Sequence, residues 1–328
     1  DSFWMFALGI LLNSFSKGVG VSWNLMVIED ASNAERIAAF NILNIINFAS
    51  GILTPLAGMA VSRFGIVPAE RKFLLFGAVC MAVMILVRNH FYVETKVGQE
   101  ILNAKIPFEP RKIFKGGLYG RSLAAIFQNR EIGIAVAVYI LFLTYIPIGT
   151  FSSLYYAPYF SEVLGIGESI VSVLGAVNSF GMLLIFVLVI PAVSRHFPER
   201  NMLIGILFQM VALLGYVLVP RGSLAAVVFF VAVFAVGFGL FRPFLDAILA
   251  EVTDGRERAG IYSLLNTAIS VLSSLFGLAS GYLYKTNPRM IYILSSGLLL
   301  ICFILLLLFA KMRALDRHRQ AAAGKAEP

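Results

Sequence analysis

Residues 29–44 read EDASNAERIAAFNILN, and residues 251–266 read EVTDGRERAGIYSLLN. At a shift of 222 positions Glu29 falls on Glu251, Glu35-Arg36 on Glu257-Arg258, Phe40 on Tyr262, Leu43 on Leu265 and Asn44 on Asn266. Farther along, Leu53 meets Leu275 and Leu56-Ala57 meet Leu278-Ala279. Apolar matches come easily in apolar sequence, but a Glu-Arg pair and an Asn in one register do not follow from hydropathy. Each copy is a short polar loop that runs into an apolar stretch. The chain therefore carries an internal repeat of long period.

Outward from the two copies the chain is apolar nearly throughout. Of its 328 residues 59% are hydrophobic and 13% charged, with mean hydropathy +0.86. Soluble domains carry roughly 25% charged residues, so this composition does not fit inside one water-soluble core. Two Cys, 12 Pro and 28 Gly without a short repeat exclude disulfide-rich, disordered and collagen-like classes. Apolar runs long enough to cross the bilayer as helices, about 20 residues each, fall at 2–28, 37–62, 73–93, 132–160, 168–193, 202–219, 224–250, 259–284 and 289–310. They are continuous rather than alternating, which excludes a barrel. The expected fold class is an all-α polytopic membrane protein with nine spans.

The net charge of +8 lies between these runs and not in a folded basic patch, so it speaks for membrane orientation and not for nucleic acid. With Arg88 and Arg289, at the ends of spans three and nine, counted with the connections they border, the connections after spans one, three, five and seven and the C-terminal tail hold 18 Lys+Arg, against 6 in the others; Lys17 and Arg242 lie deeper inside spans. This places the C-terminus in the cytoplasm and Asp1 outside, in what the reading expects to be the plasma (cytoplasmic) membrane. The tail residues Lys311, Arg313, Arg317 and Arg319 suit an anchor to anionic lipid.

Spans four to nine form a block of six behind a polar connection, 94–131. With span one matched to span seven, span one becomes the fourth helix of an earlier block, and three helices are expected before Asp1. Two six-helix blocks, a long basic connection and both natural termini inside resemble the major facilitator superfamily of secondary transporters. The resemblance covers the whole chain as the last nine of twelve helices, of an intact length of about 400–430 residues at about 30 per helix and loop. It implies a partial N-terminal half (1–93), a cytoplasmic connection (94–131), a C-terminal six-helix half (132–310) and a basic tail (311–328). It also implies that spans one, four and seven line a central cavity while three, six and nine face lipid. The polar residues agree, since Lys17, the tyrosines 145–159, and Arg242 with Asp246 fall on the lining set. The loop motif expected near 191–203, PAVSRHFPERNML, keeps Phe197, Arg200 and Leu203 but has Pro191, Arg195 and Pro198 where the family has Gly, Asp and Gly. The fourth-helix motif departs too, with Ser14 in place of Arg before Gly18.

Lys17 sits mid-span, where an uncompensated cation costs at least about 2.5–3.5 kcal/mol. Asn13, Lys17, Gly20 and Asn24 share one helical stripe, and the stripe reads either as a cavity wall for an anionic or hydrogen-bonding solute or as a structural contact. Arg242 and Asp246, spaced i, i+4, can pair on one face, as an interface latch or as a proton-coupling couple. Tyr145, Gly149, Ser152, Tyr156 and Tyr159 run along span four, with Pro147 and Pro158 breaking the helix. Their aromatic faces with hydroxyl tips suit sugars, aromatic drugs or amphipathic solutes, although Tyr159 also fits an interfacial belt. Asn44, Asn47, Gly51, Pro55 and Gly58 make a small-residue seam on span two, answered on span eight by Ser263, Asn266, Ser270, Ser273, Gly277 and Gly281. Small residues let helices approach closely, so the seams read as sliding contacts. Glu35, Arg36, Glu257 and Arg258 read as braces of the loop ends in one conformation.

No Walker loop, dinucleotide fingerprint or nucleophile elbow occurs, and neither Cys80, Cys302 nor the three His show metal spacing. The sequence thus points to a non-enzymatic, cofactor-free and metal-free monomer. It is expected to move a small organic solute by alternating access with an ion, a proton by preference. A receptor or scaffold that binds without moving its ligand is the alternative, and a membrane enzyme a third. Nine helices alone are expected not to transport.

Overall fold

The computed structural model describes residues 4–5, 7–9, 11–12, 42–43, 45–47, 49–51, 53–103, 117–190, 193, 198–253 and 258–323. Among them there are helices and no strand. We number these α1 (Thr54–Phe64), α2 (Ile66–Phe91), α3 (Lys96–Asn103), α4 (Gly117–Gln128), α5 (Arg130–Gly149), α6 (Tyr156–Pro158), α7 (Glu168–Leu184), α8 (Pro198–Leu218), α9 (Leu224–Val252), α10 (Arg258–Thr286) and α11 (Met290–Ala323). Eight helices are long and apolar enough to cross a membrane, the first being Ile45–Phe64, which contains α1. They correspond to the sequence spans two to nine; span one lies mostly outside the described residues.

The chain divides into two compact units, Asp1–Asn44 with Arg71–Gly120, and Ile45–Glu70 with Arg121–Pro328. Most of α2 belongs to the first, and from Arg71 on its large apolar side chains are exposed, among them Leu74, Leu75, Phe76 and Leu86. Such a helix is stable only where the surroundings are themselves apolar. The second unit holds α1 and α5 to α11, with the core between them.

Local chemistry sets the breaks. The Asn129 side chain caps α5 by accepting from the backbone N–H of Glu131 at 2.9 Å and of Ile132 at 3.4 Å. Sequence reading expects one span over 132–160; instead α5 ends at Gly149. Pro147 has no N–H to donate back along the helix, and at the helix end the Ile146 carbonyl accepts both the Thr150 N–H at 3.3 Å and Thr150 Oγ1 at 2.8 Å, closing the last turn before the backbone turns extended at Thr150. After a turn, α6 leads into a π-helical turn, Tyr159–Val163. Gly165, at φ +69°, then turns the chain, and the Ile166 N–H donates to the Phe160 carbonyl at 2.9 Å.

In the second unit α8 lies along α9, and it can do so closely because both faces are small. A Cβ on Gly237 would stand 2.7 Å from the Gly205 carbonyl oxygen and 2.7 Å from the Gln209 backbone nitrogen. In the same way Gly181 of α7 sits against Ala235, and Gly239 against Ile185. Between these helices pack Phe142, Tyr145, Tyr159, Phe160, Phe241, Tyr292 and Phe309, all fully enclosed. The ring centroids of Phe142 and Phe241 are 4.4 Å apart.

Candidate functional site

The residues proposed from sequence do not gather at one place. Asn13, Lys17, Asn24, Glu35, Arg36, Asn44 and Glu257 lie outside the described residues, and of Arg258 only the helical backbone is described. Asn266 is exposed, and its amide donates to the Tyr262 carbonyl one turn back at 3.0 Å. Tyr145, Tyr156, Arg242 and Asp246 take up three distinct settings.

Tyr145 belongs to the core. It is fully buried, and its hydroxyl donates to Gln209 Oε1 on α8 at 3.4 Å, while Gln209 Nε2 donates to the Gly205 carbonyl at 3.4 Å. Gln209 and Tyr216 are the polar residues of sequence span six. Both point inward, and the lipid-compatible face of α8 is the one that carries Leu207, Val211, Leu214 and Leu218.

Tyr156 faces a cleft lined by Gly149, Phe151, Tyr156, Asn178, Tyr216 and Phe234, with about 180 Å³ of empty space when its open mouth is included. The walls meet closely enough that no water fits inside in this conformation. The break after Pro147 aims Tyr156 here, because the chain leaves α5 and re-enters helix at α6. Its ring packs on Phe160 with centroids 4.3 Å apart, and Tyr159 anchors the same turn by donating to the Tyr216 carbonyl at 2.9 Å. Opposite stands Asn178 of α7, 1% exposed. Among the described residues neither atom of the Asn178 amide has a hydrogen-bond partner, and the Tyr156 hydroxyl has none either. Sequence reading passed over Asn178. The available signal was that it is the only amide in the stretch 168–193.

Arg242 and Asp246 form the pair that their spacing suggests, Nε to Oδ2 at 2.9 Å on α9. The guanidinium also sits 5.7 Å from the ring centroid of Tyr139 on α5. The pair is partly exposed, with side-chain accessibilities of 21% and 29%.

On the span Ile45–Phe64, which contains α1, the seam glycines lie against α7. A Cβ on Gly51 would collide with the Ser179 hydroxyl, and one on Gly58 with the Ser172 hydroxyl. Ser172 Oγ meanwhile donates to its own helix, to the Ser169 carbonyl at 2.7 Å. The stripe on span eight behaves differently: a Cβ on Gly277 of α10 would meet open space.

A charged cluster that sequence reading missed closes one end of the second unit. Arg313, grouped in the sequence with the basic tail, instead holds three carboxylates. They are Glu131 Oε1 at 2.6 Å, Glu251 Oε1 at 3.1 Å and Glu199 Oε1 at 3.6 Å. Its guanidinium also lies 4.9 Å from the Phe309 ring centroid. The acids come from the start of α5, the end of α9 and the start of α8, and Glu199 is 2% exposed.

Long apolar helices, an aromatic core and an ion pair within a span define a polytopic integral membrane protein. The family model described as Major Facilitator Superfamily matches residues 1–240 and again 140–327, and the chain belongs to that family. It is thereby a member of a family of transporters, which are in general not enzymes. No match was found among curated proteins.

Proposed function

We propose that the protein is a secondary active transporter that moves a small organic solute by alternating access, coupled to protons. It would lie in the plasma membrane with its C-terminus in the cytoplasm and act without a cofactor. In this reading residues 1–93 belong to one half of the carrier and 132–310 to the other. The observation that carries it is the contact of the span Ile45–Phe64 with α7, which pairs a helix of the first half with one of the second through Gly51, Gly58, Ser172 and Ser179. Side chains this small do not interlock, so two helices can shift along each other at little steric cost. Carriers that expose a site to either side in turn need such a contact.

A reversible cross-link tests this. In a Cys80→Ser background, Gly58→Cys with Ser172→Cys brings the two Cβ atoms to 2.9 Å, so a small parting of the helices reaches the disulfide range of about 3.5–4.5 Å. Oxidation should stop uptake into proteoliposomes, and reduction should restore it. Uptake that continues at full cross-linking would defeat the alternating-access reading. Ligand binding with neither accumulation nor counterflow would favour the receptor instead.

A further inference from the structure

We propose that Tyr156 and Asn178 form a binding site for an uncharged solute that joins one ring-sized apolar body to a hydroxyl-bearing edge. That this solute is also the cargo rests on the transport reading above; the site itself does not.

Buried polar atoms are almost always hydrogen-bonded, since an unpaired one has lost its water and gained nothing. Here, among the described residues, both atoms of the Asn178 amide and the Tyr156 hydroxyl are unpaired, and the two residues line one cleft that admits no water in this conformation. Three such atoms around one space are unsatisfied in the closed form and would be satisfied by a guest that opens it. The amide can both donate and accept, and the phenol can do either. A hydroxyl, also donor and acceptor, answers both.

The remaining walls choose the body of the guest. Phe151, Tyr216 and Phe234 offer flat apolar faces beside the Tyr156 ring, which suit an aromatic ring or the C–H face of a sugar. Among the described residues no lining side chain carries a charge, so an ion entering the cleft would lose its hydration without a counter-charge from them. A cation is the rival occupant, because aromatic faces attract it. The polar tips are also held in place: Tyr156 packs on Phe160, and Tyr159 ties the turn to Tyr216. A site built to pair hydroxyls rejects an analogue that has none, because its own groups then stay unpaired.

Three probes with the same phenyl body separate the classes: phenyl β-D-glucopyranoside, phenyl phosphate and phenyltrimethylammonium. Binding is read as the rise in unfolding temperature of the purified protein with probe concentration. The glucoside alone should raise it, and Asn178→Leu and Tyr156→Phe should each weaken its binding by about tenfold or more. Asn178→Leu should also raise the unfolding temperature of the ligand-free protein, because it removes an unpaired amide from an apolar wall. An asparagine kept for packing alone would give a fall. Tyr156→Phe, which deletes one oxygen, gives the answer if Asn178→Leu does not fold. No response to the glucoside, a stronger response to either charged probe, or glucoside binding unchanged in Tyr156→Phe overturns the proposal. Glucoside binding without counterflow in liposomes would defeat the transport reading and leave the site standing. Counterflow undiminished in Asn178→Leu would do the reverse.

Discussion

Asp246 is a carboxylate inside a span, held at 2.9 Å by Arg242 on the same helix. Its charge is tolerable there because the guanidinium balances it, and the Tyr139 ring lies beside that guanidinium. In the proposed coupled step, loss of the Asp246 charge would free Arg242. Asp246→Asn removes that charge and keeps the shape. We expect it to lower proton-gradient-driven accumulation by about tenfold, or about 1.4 kcal/mol, and to leave counterflow at constant pH largely intact. Gradient-driven accumulation at the level of the unmodified protein would remove Asp246 from the coupling. This pair was legible in the sequence because both members lie one helical turn apart. Asn178 was not, since a search for polar stripes passes over one amide alone on its helix. Arg313 was misread for another reason. Its partners Glu131 and Glu251 are 182 and 62 residues away in the chain, and no local pattern connects them.

At the scale of the element, helix identity followed from hydropathy, while helix facing did not. The polarity of spans three, six and nine suggested helices turned to lipid. For α8 and α11 that holds on one face only, because Gln209, Tyr216 and Tyr292 are buried on the other. Overall apolarity does not report which side of a helix is packed. Span four ran too long in the sequence reading because prolines are tolerated within membrane helices, and the break shows only in the extended backbone at Thr150. The α8–α9 crossing gives a measurable consequence. At Gly237 an added methyl would meet backbone atoms that cannot rotate away, so Gly237→Ala should destabilise by about 1–3 kcal/mol. Gly277→Ala, in open space, should be neutral or stabilising by up to about 1 kcal/mol. Thermal unfolding of the two variants in detergent checks the contrast, and equal unfolding temperatures would contradict the packing described.

For the whole molecule, the apolar runs and the matched Glu-Arg and Asn positions were enough to point to the superfamily, which the family match shows. Orientation rests on the distribution of Lys and Arg, which acts during insertion and leaves no mark on helix packing. In a Cys80→Ser background, Ser223→Cys on the turn before α9 should react with an impermeant maleimide added to intact cells. Leu315→Cys near the end of the last span should react only after permeabilisation. The opposite pattern would invert the topology. Cys302, buried with its thiol 3.9 Å from the Val138 carbonyl, should not interfere.

Arg313 has a mechanical consequence for any such motion. One guanidinium joins the first turns of α5 and α8 to the last turn of α9. With α11, which carries the arginine, four helices are pinned at a common end, cannot splay there independently and pivot as a single block. Deformation within this bundle is therefore left to the helices that the arginine does not hold. One of them, α7, continues into a widened π-helical stretch at Ile185–Val189, where a helix yields most readily. The chain thus has a clamped end and a pliant strut, and α7 is also the helix that carries Asn178.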